Sequence, residues 1–372
     1  MNIPEFKLER YLAQYEFTAP YLLCTSDCES LTIHELLELE SGSINRMGNF
    51  PLGYTESQGS PELRSEIAKW YDSISADEII VTSGAEEGIF LSMQVLLKPG
   101  DHVIVQTPSY QSLHELPRSI GCTISEWEMH EVNGSWTLDL DVLISLITPK
   151  TRLLVINAPH NPTGYTFSQK DWGEINQIAQ EYQLVILSDE VYRGSEHDPR
   201  HALPPMADLN PNAISLGVMS KSLGLAGLRI GWIAASDSDF RRQFQAFKDY
   251  TTICNSGPSE FLSSIALRQK DMILKRNRKI ISENLSILHQ FFSRHSDQLS
   301  WSPPVAGSTA YPRIAENLSV ENFCNAVREK QGVLLLPGTV FGSTTPHFRL
   351  GYGRKNMPSI LSRFEAYLMD AV

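Results

Sequence analysis

The stretch LLVINAPHNPTGYTFSQKDWGEINQIAQEYQLVILSDEVYRG (153–194) decides how the rest of the chain is read. It opens on a continuous apolar run, LLVI (153–156), and closes on a second, LVIL (184–187). Apolar runs without polar alternation belong to strands covered on both faces by other layers. Between them QKDWGEINQIAQEY (169–182) reads as a helix. Strand, helix and strand in succession predict an α/β unit with a largely parallel sheet.

Working outward, the same rhythm repeats. IIVT (79–82), VIVQ (103–106) and CTISEW (122–127) precede this stretch; AISLGV (213–218) and IGWIAA (230–235) follow it. PELRSEIAKWY (61–71) opens with proline and sets Leu63, Ile67 and Trp70 on one helical face. The fold class is therefore α/β, a large domain whose mostly parallel sheet is covered by helices. After about residue 240 the pattern changes to long helical stretches, short strand candidates at STAYPRI (308–314) and VLLLPG (333–338), and a last helix near 358–369. This is expected to be a smaller α+β domain of residues 1–39 and 246–372, beside a large domain of 40–245.

Composition bounds the function. The 372 residues are 42% hydrophobic and 20% charged, a globular balance that excludes a disordered or collagen-like chain. No apolar run approaches the roughly 20 residues of a membrane span, and the N-terminus lacks the apolar core of a signal peptide. A net charge of −12 argues against a nucleic-acid partner, which needs a basic face. Five scattered cysteines form no disulfide framework, and Cys24 and Cys28 have no second ligand pair that would make a metal site. A soluble, acidic, cytoplasmic protein with no metal and no membrane partner is the expectation.

Ligands of α/β sheets bind at the carboxyl ends of the strands, and four motifs lie there. In VTSGAEEGIF (81–90) a small-residue turn starts a helix, which is either ordinary turn chemistry or a phosphate cradle. In INAPHNPTG (156–164) Asn161 and Pro162 end a strand in a turn. In VILSDEVYRG (185–194) Asp189 is either a helix cap or a partner for a protonated ring nitrogen or other cation, with Tyr192 three residues on. In GVMSKSLGLAGLRIGW (217–232) Lys221 closes a strand, eight positions before Arg229. A lysine desolvated there can become an amine nucleophile; at a surface it is unremarkable.

Taken together, SGAEEG, NAPHNPTG, SDEVY and SKSLGLAGLRIG resemble, in order and spacing, the fold-type I pyridoxal-phosphate enzymes of the class I/II aminotransferase family. The resemblance runs from GYTESQGSPELR (53–64) to HFRLGYG (347–353). It implies pyridoxal 5′-phosphate held as a Schiff base by Lys221, which would also shuttle the Cα proton. Asp189 would pair with the pyridine nitrogen, and Tyr192 and Asn161 would bond the phenolic oxygen. Tyr110 would stack on the ring. Backbone at Ala85 and Glu86 and the guanidinium of Arg229 would hold the phosphate. Tyr54 would reach the cofactor of a neighbouring subunit, implying a homodimer with shared sites, and Arg349 would clamp the substrate α-carboxylate.

Two departures stand out. The hydroxyl residue that relatives often carry three before the lysine is Val218, with Ser220 beside the lysine. LLCTSDCESLTIHELLEL (22–39) replaces the glycine-containing strand that commonly covers the substrate. The implied activity is transfer of an amino group between an α-amino acid and a 2-oxo acid. The alternative is β- or γ-elimination or cyclisation by the same carbanion chemistry. A Rossmann dehydrogenase is disfavoured by the missing G-x-G-x-x-G. Arg313 reads either as a substrate-side residue or as a solvated one, and the histidines as surface or capping groups.

Overall fold

The computed structural model describes residues 3–370. Each of the seven apolar runs forms a strand of one sheet: β1 (Ile79–Thr82), β2 (His102–Thr107), β3 (Thr123–Glu128), β4 (Thr151–Asn157), β5 (Val185–Asp189), β6 (Ala213–Val218) and β7 (Gly231–Ala235). Their order in space is β1-β7-β6-β5-β4-β2-β3. Strands β2 to β6 pair in parallel, and β7 runs antiparallel to both β1 and β6. Alternate residues enter different cores. Ile80 and Ile233 pack with Val103, Val105 and Leu216 on one face. Ile79, Val81 and Trp232 pack on the other with Leu63 and Ile67.

The smaller unit is built on a three-stranded sheet, β8 (Thr309–Ala310), β10 (Phe348–Gly351) and β9 (Leu336–Pro337), in that order. Its core gathers Phe291, Phe348, Leu350, Tyr352 and Phe364. Two segments that the sequence assigns to the smaller unit pack elsewhere. Leu36 and Leu37, in the helix Ile33–Glu38, and Phe261, Leu262 and Ile265, in the helix Gly257–Arg268, all bury themselves in the core beside the large sheet. The long helix Lys270–Arg294 then joins the two cores, with Ile273 in one and Ile281 and Leu288 in the other.

The N-terminal helix α1 (Lys7–Tyr15) bridges the units. Its Lys7 N–H donates to Gln111 Oε1 (2.8 Å), and Tyr11 Oη donates to the Leu335 carbonyl (3.0 Å). Tyr21–Leu22 then pairs in parallel with Val333–Leu334. No described helix is long and apolar enough to cross a membrane.

Candidate active site

At the carboxyl ends of β4, β5 and β6 lies a cavity of about 460 Å³. Nine of the ten residues expected from the sequence line it: Ala85, Glu86, Tyr110, Asn161, Asp189, Tyr192, Lys221, Arg229 and Arg349. Tyr54 does not. It is 94% exposed and sits with Leu52 beside residues 254–258, at a separate surface depression.

Strand ends set the floor. Asp189 is the last residue of β5, and Asn157 is the last of β4, paired with it across the ladder. The Asn157 side chain donates to the Asp189 carbonyl (2.8 Å) and accepts from the Asn161 N–H (2.7 Å), so one amide ties both motifs together. The Asn161 turn is held from behind by His160, which is buried and bonded to Thr163 Oγ1 and the Pro108 carbonyl, both at 2.8 Å. Burial drives its pKa down to about 3, so it is a neutral strut and not the surface or capping group expected of it.

The Asp189 carboxyl forms no ion pair among the described residues and accepts one hydrogen bond, from the Val191 N–H at 3.3 Å. Burial pushes its pKa up to about 6, with that bond and nearby Lys221 pulling back. A carboxylate in this position gains when a cation is placed against it. Tyr192, 2% exposed, has a hydroxyl in the same cavity that finds no partner among the described residues.

A second side is made by the start of the helix Gly84–Leu96, directly after β1. Gly84 has a φ of +74°, and a Cβ there would lie 2.9 Å from Arg229 Nη2. A Cβ on Gly231 would lie 2.6 Å from the Gly84 backbone carbon. The two glycines bring the guanidinium onto the helix's first turn, where free N–H groups and the helix dipole favour an anion such as a phosphate. Val218 packs against Val191, Tyr192 and Ala85, and Ser220 supplies a hydroxyl to the cavity wall.

The cover comes from chain termini. Lys221 Nζ donates to Ser26 Oγ at 2.8 Å and lies 5.8 Å from the Tyr192 ring centre. Arg349, on β10 and 3% exposed, donates from Nη1 to Asn161 Oδ1 (3.1 Å) and from Nη2 to the Cys24 carbonyl (2.8 Å); its Nε has no partner. Arg354 holds Asp27 through both carboxylate oxygens at 2.9 Å. From α1, Leu8, Glu9 and Leu12 face the cavity, as does Glu16, the residue that caps its C-terminus. Tyr110 Oη donates to Glu9 Oε1 at 3.1 Å, and its ring lies 5.0 Å from Phe6. Arg313 is elsewhere, between Glu131 (3.7 Å) and Glu316 (3.8 Å) on another cavity.

Ser26, Asp27, Arg354, Glu9, Glu16 and Asn157 are site residues that the sequence reading missed. Only Asn157 carried a local signal, as the polar residue that ends LLVIN. The arrangement offers an amine, a buried carboxylate for a cation, an anion cradle and a buried guanidinium for a carboxylate.

The model of the family Aminotransferase class I and II matches residues 21–363. Capreomycidine synthase of Streptomyces vinaceus is 28% identical over 352 residues, covering 94% of this chain and 90% of that protein. A PLP-dependent aminotransferase from Streptococcus suis superposes with a TM-score of 0.93 at 32% identity, covering 100% of this chain and 99% of that one. The PLP-dependent cyclase OrfR superposes with a TM-score of 0.88 at 28% identity, covering 98% and 97%.

Proposed function

This chain belongs to the class I and II aminotransferases, and from that premise we propose that it moves an amino group between an α-amino acid and a 2-oxo acid, with Lys221 carrying the Cα proton. Its fold is fold type I and its cofactor is pyridoxal 5′-phosphate. The cavity's own chemistry fits that cofactor. Asp189 is a buried carboxylate without a cation, Tyr192 Oη is buried without a partner, and Arg229 stands over a helix N-terminus. We assign Asp189 to the ring nitrogen, Tyr192 and Asn161 to the phenolic oxygen, and Tyr110 to the ring face. The backbone N–H groups of Ala85 and Glu86 and the Arg229 guanidinium take the phosphate, with the Ser220 hydroxyl supplying what Val218 lacks.

When bound, the cofactor supplies an aldehyde for amines and a ring that takes up the electron pair left at Cα. Asp189 keeps the ring nitrogen protonated. Arg349 anchors the substrate α-carboxylate through a forked donor set. Lys221, held by Ser26, takes the Cα proton as general base and returns it as general acid. One observation carries the reading: Lys221, Asp189 and Arg349 line the same cavity, the carboxylate without an ion pair and the guanidinium with an unpartnered Nε.

A homodimer with shared sites follows from Tyr54. It projects, 94% exposed, beside exposed Leu52, an apolar pair that a second copy would cover. Sedimentation of the purified protein reads that association directly. Five free thiols support a reducing, cytoplasmic setting.

The likeness to capreomycidine synthase and to the cyclase OrfR favours a second reading, elimination or cyclisation at Cβ. A half-reaction separates the two: the loaded enzyme is mixed with single amino acids and no 2-oxo acid. One 2-oxo acid per site, with the cofactor left as its amine, establishes the transferase. Continuing turnover with ammonia or a β-substituent released establishes the second reading.

A further inference from the structure

We infer that the substrate's side chain carries a positive charge, an ammonium or guanidinium, received by Glu16 and Glu9 of α1 with Glu86 behind them; this rests on the reading of the cavity as a pyridoxal-phosphate amino-acid site. The argument is one of charge balance. Among the cavity's cations, Arg354 is already neutralised by Asp27, both contacts at 2.9 Å. Arg229 stands at the anion cradle, Lys221 is the reacting amine, and Arg349 takes the α-carboxylate. Asp189 is matched by the ring nitrogen.

Three carboxylates remain. Glu9, Glu16 and Glu86 all line the cavity, and no described residue forms an ion pair with any of them. Their hydrogen-bond donors are neutral, Tyr110 Oη to Glu9 and Ser112 Oγ to Glu86, both at 3.1 Å. Glu9 and Leu12 of α1 and its C-cap Glu16, still in helical backbone conformation, are spaced three and four apart, so both carboxylates lie on the face that covers the cavity. Burial, then the neighbouring charge of Glu9, raises the Glu86 carboxyl to about 7 against the pull of Ser112. Glu16 is raised chiefly by burial, with Arg354 opposing. Carboxylates that burial and mutual repulsion disfavour are relieved by a cation placed among them.

Two further groups show that a ligand is expected here. Tyr192 Oη and Arg349 Nε are buried, without partners, in side chains only 2% and 3% exposed on the same cavity. A substrate pinned by its carboxylate at Arg349 extends its side chain toward α1. A neutral side chain would leave those carboxylates uncompensated, whereas an acidic one would add to the repulsion.

The test compares near-isosteric amino acids on the loaded enzyme. L-Arginine, L-lysine and L-ornithine are set against neutral L-citrulline and L-norleucine, by calorimetric binding and by kcat/KM. Borohydride fixation of the cofactor on Lys221 is scored separately by peptide mass. The expected preference for arginine over citrulline is roughly tenfold or more, falling toward unity in the Glu9→Gln/Glu16→Gln variant, with KM moving more than kcat. Fixation at Lys221 with equal or better binding of citrulline overturns the inference and leaves the site assignment standing. Absence of fixation overturns the site assignment, and the inference with it.

Discussion

The floor and the cover of the cavity are assembled in opposite ways. The floor is cut from strand ends: Asn157 and Asp189 end β4 and β5, where the ladder sets their backbones, and Lys221 follows β6. The cover is stitched from the two termini by side chains that reach across the chain. Lys221 meets Ser26 over 195 positions, and Arg349 meets Cys24 over 325. Rigid backbone positions the cofactor's chemistry, while a few polar bonds position the substrate's. Damage to the floor should therefore abolish reaction, and damage to the cover should first change affinity and choice of substrate.

The sharpest way to break that contrast is Lys221→Ala. Removing both nucleophile and base is expected to lower turnover roughly 10⁴-fold. Thermal stability should change little, because the half-buried amine has one hydrogen-bonded partner, worth about 1 kcal/mol. Single-turnover assays with borohydride labelling check both. Normal turnover in this variant would remove Lys221 from the floor's chemistry.

Arg349→Ala tests the cover. Loss of a forked, charge-assisted clamp should raise KM about 100-fold for every carboxylate substrate, with a smaller change in kcat. Stability should also fall, by about 2 kcal/mol, since the buried Cys24 carbonyl and Asn161 Oδ1 both lose a donor. Arg349→Lys keeps the charge without the fork and should recover only part of the affinity. An unchanged KM would move the clamp to another residue.

Asp189→Asn separates the cofactor's role from the fold's. The native carboxyl, near 6 against an ordinary 3.8, holds its proton more tightly than the unfolded chain does. Stability of the cofactor-free protein therefore falls as pH rises through this window and stays lower above it, by on the order of 3 kcal/mol. The asparagine variant should lose that slope while binding the cofactor more weakly. Cofactor loading should flatten the slope in the native protein by placing a cation on the carboxylate. Melting curves across the acidic to neutral range read all three; parallel slopes in native and variant protein would place the titration elsewhere.

The same contrast explains what could be read from the chain alone. Asp189 and Lys221 announce themselves because each follows an apolar run and so stands at the rim of a buried strand. His160 looked like a surface group because nothing near it shows that Pro108 and Thr163 enclose it. Glu9, Glu16 and Ser26 carry no local pattern at all, since their place depends on where α1 and residues 21–29 dock on the smaller unit. The helix Gly257–Arg268 was assigned to the wrong core for a similar reason. Its apolar residues pack against Leu36 and Leu63, which lie about 200 positions away in the chain and leave no local sign of the contact. Tyr54 is legible as a motif residue, yet a single chain leaves it in solvent.

Ser26→Ala is the finest probe of how floor and cover meet. The segment around Ser26 has little freedom: a Cβ on Gly351 would fall 1.8 Å from the Thr25 carbonyl oxygen, and one on Gly353 would fall 2.4 Å from that of Asp27. The Ser26 carbonyl also accepts from Ser308 Oγ at 3.0 Å. A hydroxyl so fixed holds Lys221 Nζ in one place. Its loss should cost about 1 kcal/mol of positioning, a roughly fivefold drop in kcat with KM nearly constant. Ser26→Thr, which keeps an acceptor at the same place, should restore kcat. A purely structural role would lower stability without lowering kcat, while a change confined to KM would make Ser26 part of the substrate's pocket and leave the lysine held by the floor alone.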